Sequence, residues 1–227
     1  MKISSEFSKY AGGYGEHNSI QNEVIDELLR NLKTNPQYIL DLGCGSGALC
    51  RAVSWDYKHF TGVDFAPGML ELHPKSKKIE SIYGDFNDET LFTNLSTYRY
   101  DHIFSASALQ WAENLDEVFS QIRALNAPIS LAIFTSGTFK TLNETASLSA
   151  LLRTKEEVEA LQKKHFNVNY EVVTYRLAFT NVRDMFRYIK RSGVSGSRNL
   201  LSFKQTKALM KNYPLNYLEF EVAFIYS

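Results

Sequence analysis

Residues 38–49, YILDLGCGSGAL, run an apolar, strand-like stretch into three glycines spaced two apart and then into a helix-forming segment. Glycines are needed where the backbone takes positive φ or where a ligand must approach without a Cβ in the way. The turn at Gly43, Gly45 and Gly47 therefore reads as a ligand cradle at the tip of a strand. From there, short runs dense in β-branched and aromatic residues alternate with helical patterns. Strands are expected over 38–43, 60–65, 81–86, 100–106 and 129–135, and helices over 20–33, 48–57, about 66–72 and 114–125. In the last of these helices Leu115, Val118, Phe119, Ile122 and Leu125 share one face, a core stripe. Beyond Gly137, residues 138–166 read as helical, 170–179 as a strand, 181–193 and 202–213 as helices, the latter ended by Pro214. Residues 216–226 read as a long final strand, antiparallel because no helix follows to cross back. The pattern predicts an α/β fold: a doubly wound, mostly parallel, seven-stranded Rossmann-like sheet with an antiparallel last strand and helical lid elements.

A chain of 227 residues is long enough for one sizeable α/β core and short for two, so a single domain over 1–227 is expected. Within it, 1–36 reads as an N-terminal lid and first helix, 37–137 as the ligand-binding core, and 138–227 as the helices and last strands that face a substrate. The start shows no apolar run behind a basic cluster, and no stretch approaches the ~18–20 apolar residues of a membrane span, so a cytoplasmic chain is expected. Cys44 and Cys50 lack partners at metal-ligand spacing and read as structural thiols, with no metal expected. The 25 basic and 25 acidic residues balance, which argues against a general nucleic-acid binder. The balance hides an asymmetry: residues 1–150 sum to −6 and 151–227 to +6, and 183–211 alone reaches +7. An acidic partner is expected to dock there.

The glycine turn taken alone also satisfies a dinucleotide pattern. Asp41 separates the two readings, because a carboxylate beside the helix N-terminus would repel a pyrophosphate. S-adenosylmethionine instead presents an ammonium and a sulfonium group, which an aspartate suits. Asp64 closes the next strand, 23 residues after Asp41, where its two oxygens can accept from both hydroxyls of a ribose. Asp85 ends the third strand and is expected to accept from an adenine amino group, with Phe65, Met69 or Phe86 packing on the ring. The plainer reading is that Asp64 and Asp85 cap the helices that follow them.

At these residues the chain resembles the class I S-adenosylmethionine-dependent methyltransferases, through DLGCGSG (41–47), VDFAPGML (63–70), GDF (84–86) and ASALQW (106–111). Residues 7–29, 107–118, 134–144, 189–196 and 213–226 together resemble the malonyl-[acyl-carrier-protein] O-methyltransferase family of biotin synthesis. That family begins with a Phe, a Tyr and a Gln, which fall here on Phe7, Tyr14 and Gln21. The resemblance implies S-adenosylmethionine as cofactor, contacted by Gln21 and by Ser105 on the fourth strand as well as by the residues above. It also implies methylation of the free carboxylate of a malonyl group carried on acyl carrier protein. A monomer is expected, with neither nucleic acid nor membrane as partner.

Methyl transfer from a sulfonium is an in-line displacement, so the protein must mainly align the reacting atoms and exclude water. A carboxylate arrives ionised and needs no general base. That fits a chain without a Ser/His/Asp set, a Cys/His pair or paired acids at catalytic spacing, although a lone His17 could serve. Tyr14, behind the Gly12-Gly13 pair, is expected to orient the substrate, with Gln110 and Trp111 after the fourth strand shaping and drying the pocket. Arg183, Arg187, Lys190, Arg191 and Arg198 are the candidate carrier contacts. The alternatives are a methyltransferase for another small acid or quinone precursor, a cofactor-binding protein that transfers nothing, and an NAD-linked dehydrogenase, the last opposed by Asp41.

Overall fold

A computed structural model describes residues 19–191 and 203–227, with the side chains of 190, 191 and 203 excepted. Its strands are β1 Tyr38–Leu42, β2 His59–Asp64, β3 Ile79–Tyr83, β4 His102–Ala106, β5 Ile129–Phe134, β6 Asn169–Ala178 and β7 Tyr217–Tyr226. The helices are α1 Ser19–Arg30, α2 Ala48–Ala52, α3 Pro67–Leu72, α4 Glu89–Leu95, α5 Leu115–Ala124, α6 Lys140–Ala146, α7 Lys155–His165, α8 Val182–Arg191 and α9 Phe203–Asn212. A 3-10 turn, Leu109–Trp111, follows β4.

The strands form one sheet in the order β3-β2-β1-β4-β5-β7-β6. The pairs β1/β2, β2/β3, β1/β4 and β4/β5 are parallel, while β7 lies antiparallel between β5 and β6. The order reverses at β1/β4, the switch point where open α/β sheets leave a crevice beyond the strand C-termini. This is the class I methyltransferase fold, with the antiparallel last strand the sequence pattern predicts.

Alternation along β1 assigns its two faces. Leu40 and Leu42 enter a core with Leu91, Leu95, Phe119 and Ile122 from α4 and α5. Ile39 enters a separate core with Ile25 of α1 and Leu49 of α2. Asp41 shares the face of Ile39, so the strand's period of two aims this carboxylate at α1. A third cluster joins Ile20, Val24 and Leu28 of α1 to Phe220, Val222 and Phe224 of β7 and to Met185 and Tyr188 of α8.

Several elements differ from the sequence pattern. The helix expected over 48–57 stops at Ala52, because Val53 is extended and the Trp55 indole donates to the Pro36 carbonyl at 2.9 Å, which ties the segment to the foot of β1. β3 starts two residues early and ends at Tyr83; Gly84 N then bonds Asp64 O at 3.0 Å. Helix α4 was not expected at all, yet Asp88 caps it by accepting from Thr90 N, and Leu91, Phe92 and Leu95 bury its inner side. Residues 138–166 are two helices, separated where Ser147 takes a left-handed conformation (φ 53°), and α7 restarts on a capping box between Thr154 and Glu157. Among the described residues no helix is long and apolar enough to cross a membrane, and no group of His, Cys, Asp and Glu could hold a metal ion.

Candidate active site

The cleft lies at the switch point and is built from the glycine turn outward. Gly43, Gly45 and Gly47 all take positive φ, at 78°, 53° and 87°. Gly43 N and Cys44 N donate to the Val63 carbonyl at 2.8 and 2.9 Å, which clips the turn to β2. A Cβ on Gly43 would overlap that of Ala108 and one on Gly47 would run into Pro74, whereas one on Gly45 would project into open space within the cleft. Two substitutions should therefore separate fold from ligand. Gly45→Ala is expected to cost about 1–2 kcal/mol in urea unfolding, from the left-handed backbone alone, and to weaken adenosylhomocysteine binding well beyond that. Gly43→Ala is expected to lose the fold first. Equal affinity for the ligand in Gly45→Ala and the parent would remove Gly45 from the cradle.

Asp64 does more than the sequence pattern assigns it. Its Oδ2 accepts from Gly45 N at 2.9 Å and its Oδ1 from Ala66 N at 2.8 Å, so the fork expected to face ribose hydroxyls also pins two turns. Asp41 differs: it is 1% exposed and its Oδ1 has no hydrogen-bond partner. Burial, and secondly the charge of Asp64, push the Asp41 carboxyl up to about 8. Burial raises Asp64 too, opposed by the amides of Ala66, Gly45 and Phe65. Gln21 of α1 stands in the same wall, and its Oε1 is likewise covered and unpartnered. Phe65, Met69 and Phe86 line the apolar side, with Trp111 closing the end beyond β4.

The remaining expected site residues are placed as follows. Asp85 is exposed and outside the cleft lining; its Oδ1 accepts from the backbone and side-chain nitrogens of Asn87 at 2.9 and 2.8 Å, closing a turn ahead of α4. Ser105 is fully buried and donates to the Leu42 carbonyl at 2.6 Å, a tie between β4 and β1 outside the cleft lining. Gln110 is buried behind the lining and donates through Nε2 to the Ser107 carbonyl at 2.6 Å. Arg183 and Arg187 are exposed on α8, where Arg187 pairs with Asp184 at 2.8 Å. Tyr14, Arg198, Phe7 and His17 lie outside the described residues, as do the side chains of Lys190 and Arg191.

Two residues escaped the sequence reading. Ser107 lines the cleft with φ 63°, a conformation that nothing in its local sequence marks. Arg153 donates through Nη2 to the carbonyls of Ala112 and Glu113 at 2.6 and 3.2 Å, directly after Trp111, and its own carbonyl receives Ser136 N at 2.8 Å. It comes from the connection between α6 and α7, too far along the chain for any spacing rule to associate it with the cleft.

This arrangement fits a nucleoside that carries a positive charge. A buried carboxylate oxygen and a buried amide oxygen without partners are acceptors, and a charge paired with Asp41 would hold its ionised form. Among the described residues that line the cleft there is no Lys, Arg or His to pair with a diphosphate. The methyltransferase domain family matches residues 40–129, the glycine turn through the start of β5. Among solved structures, a putative methyltransferase from Bacillus halodurans superimposes with a TM-score of 0.60 at 12% identity, covering 88% of this chain and 96% of that one. A phosphoethanolamine N-methyltransferase 2 of Haemonchus contortus in complex with S-adenosyl-L-methionine gives 0.57 at 18% identity, covering 96% of this chain and 56% of that one. At such identities the likeness concerns the fold.

Fold, cleft and the domain match over residues 40–129 are those of a class I S-adenosylmethionine-dependent methyltransferase. Among curated proteins the chain is similar to malonyl-[acyl-carrier protein] O-methyltransferases. One from a Methylovorus species is 26% identical over 214 residues, 85% of this chain and 72% of the relative. The enzyme designated 2 in Coxiella burnetii is 29% identical over 212 residues, 86% of this chain and 81% of the relative.

Proposed function

We propose that the chain transfers the methyl group of S-adenosylmethionine to the free carboxylate of a malonyl thioester carried on acyl carrier protein, the step its resemblance implies for biotin synthesis. One observation carries the choice of an acid. Among the described residues that line the cleft, the titratable groups are Asp41, Asp64 and Cys44, and burial raises all three above their usual range. Asp64 is bonded to the glycine turn and to the entry of α3, and Asp41 is assigned to the charged end of the methyl donor, so neither is left to act on the acceptor, and a carboxylate, already ionised at neutral pH, needs no base. The malonyl and carrier parts of the reading rest on the curated relatives.

Bound in the cleft, S-adenosylmethionine supplies a methyl group on a cationic sulfur. Asp41 and Gln21 hold its amino-acid end, Asp64 accepts from the ribose, and Phe65, Met69 and Phe86 flank the adenine. Trp111 excludes water beside the reacting atoms, where a low dielectric strengthens the attraction between acid and sulfonium. Arg153, bonded to the carbonyls of Ala112 and Glu113 just after Trp111 in the chain, is the candidate positive charge that draws in a carboxylate. The segment before α1, with Tyr14, takes the role of a lid, supported by Gln21 standing in the cleft wall two residues after α1 begins. Residues 37–137 form the cofactor core and 138–227 the carrier-facing part.

Incubation with labelled methyl donor and a panel of malonyl carrier, malonyl-CoA and free diacids tests this reading; label passing to a free diacid alone would replace it with the small-acid alternative. The exposed guanidinium groups of α8 give a second measurement. Replacing Arg183 and Arg187 by Glu is expected to raise KM for the malonyl carrier about tenfold, leaving the malonyl thioester of a small neutral thiol nearly unchanged. Equal losses on both substrates would remove α8 from the docking surface.

A further inference from the structure

Four non-glycine residues among those described have positive φ: Ser107, Asn126, Phe139 and Ser147. Phe139 precedes α6 and buries its ring against Phe220, Ser147 ends α6, and asparagine tolerates this region. Ser107 alone of the four lines the cleft, and its hydroxyl is covered and without a hydrogen-bond partner. Its backbone is gripped on both sides. Ser107 N donates to the Ala132 carbonyl of β5 at 3.0 Å, and Ser107 O receives Gln110 Nε2 at 2.6 Å. Gln110 is 9% exposed, and its amide nitrogen serves this turn. A strained residue persists when its surroundings over-determine it, and an unmade hydrogen bond adds a second penalty. Both penalties fall on one residue at the tip of β4, next to Ala108, which abuts Gly43, in a lining that also includes Trp111.

We propose that Ser107 is the substrate-positioning residue: its hydroxyl donates to the carboxylate oxygen that does not attack, so that the other oxygen lies in line with the methyl carbon and sulfur. The proposal rests on the acid-methylating reading above. A serine hydroxyl moves among three staggered positions about one bond, which brings the donor from the wall of the cleft toward a bound acid. In the transfer the attacking oxygen forms the new C–O bond with its own electron pair, and the C–S bond breaks with its pair remaining on sulfur. Positive sulfonium and negative carboxylate are both neutralised, and the serine keeps its proton throughout.

Two substitutions separate hydroxyl from backbone. Ser107→Ala removes the hydroxyl and keeps the strain; Ser107→Gly removes both. Steady-state kinetics on the malonyl carrier and calorimetry with adenosylhomocysteine are expected to show the same loss of kcat/KM in both variants, about 10–100-fold, with adenosylhomocysteine affinity within threefold of the parent. An adenosylhomocysteine affinity that falls in step with turnover would give the hydroxyl to the cofactor. Loss in Ser107→Ala restored in Ser107→Gly would give the effect to the backbone, and parental rates in both would leave the hydroxyl without a role. Each of these three outcomes overturns the proposal alone. A parent protein that fails to methylate the malonyl carrier overturns the underlying reading, and shows it before any variant is made.

Discussion

Asp41→Asn is expected to bind adenosylhomocysteine at least a hundredfold more weakly than the parent at pH 8 and, in the free protein, to be more stable than the parent at pH 9. Both effects come from one buried carboxylate without a partner. Its folded-state pKa, near 8, lies above the ordinary value of 3.8, so between these pH values the native chain binds more protons than the unfolded one. Stability then falls as pH rises through this window. The penalty is absent below about pH 4 and fully present above pH 8, with an upper bound on the order of 6 kcal/mol from about four units at about 1.4 each. Asparagine cannot ionise, so the two unfolding curves should coincide near pH 4 and separate toward pH 9. A positively charged ligand reverses the sign, because pairing lowers the carboxyl's pKa. Binding at pH 7 should therefore release up to about one proton in the parent and none in Asp41→Asn, as read by calorimetry in buffers of different ionisation heat. A stability difference flat with pH, or parental affinity in the variant, would contradict this account.

Asp64→Asn is expected to lose stability and affinity together, the opposite signature. Both carboxylate oxygens of Asp64 accept backbone N–H groups, from Gly45 and from Ala66. An amide in the same position offers one oxygen and one NH2, and the NH2 faces a donor. Leaving a buried N–H without an acceptor costs about 1–3 kcal/mol, and here the unpaired group belongs to the glycine turn or to the entry into α3. The measurable result is a lowered urea midpoint at pH 7 with a loosened cradle and weaker adenosylhomocysteine binding. Removing this charge also relieves Asp41, whose carboxyl should titrate lower in Asp64→Asn than in the parent. A variant that keeps its midpoint and loses only affinity would assign Asp64 to the ligand alone.

Contrasts between these residues show what a linear sequence carries. The glycine turn, Asp41 and Asp64 were legible because a strand tip must turn within a few residues, so their spacing along the chain fixes their spacing in space. Phe65, Met69, Phe86 and Trp111 followed from the same rule, being close in sequence to strand ends and in the cleft lining. Ser105 and Asp85 stand outside the cleft lining, because proximity to a strand end does not say which way a side chain turns. The pleat carries Ser105 into the sheet, and a local bond to Asn87 holds Asp85 at the rim. Helix α4 was missed because its apolar residues, Leu91, Phe92 and Leu95, cover less than two full turns. Ser107 and Arg153 left no signal, since a serine with positive φ and an arginine reaching back 41 residues to Ala112 are consequences of tertiary structure.

The antiparallel insertion of β7 constrains how the chain reaches its native state. Among the described residues β6 pairs only with β7, over ten residues from Asn169↔Tyr226 to Ala178↔Tyr217, so during synthesis it emerges as a strand with no neighbour and waits about 40 residues for one. The half of the sheet containing β1 to β5 has its partners early, whereas the rest closes through contacts distant in sequence, the kind that slow folding most. Newly made protein should thus pass through a stage with the glycine turn assembled and the β6 edge exposed, when aggregation competes most strongly with completion.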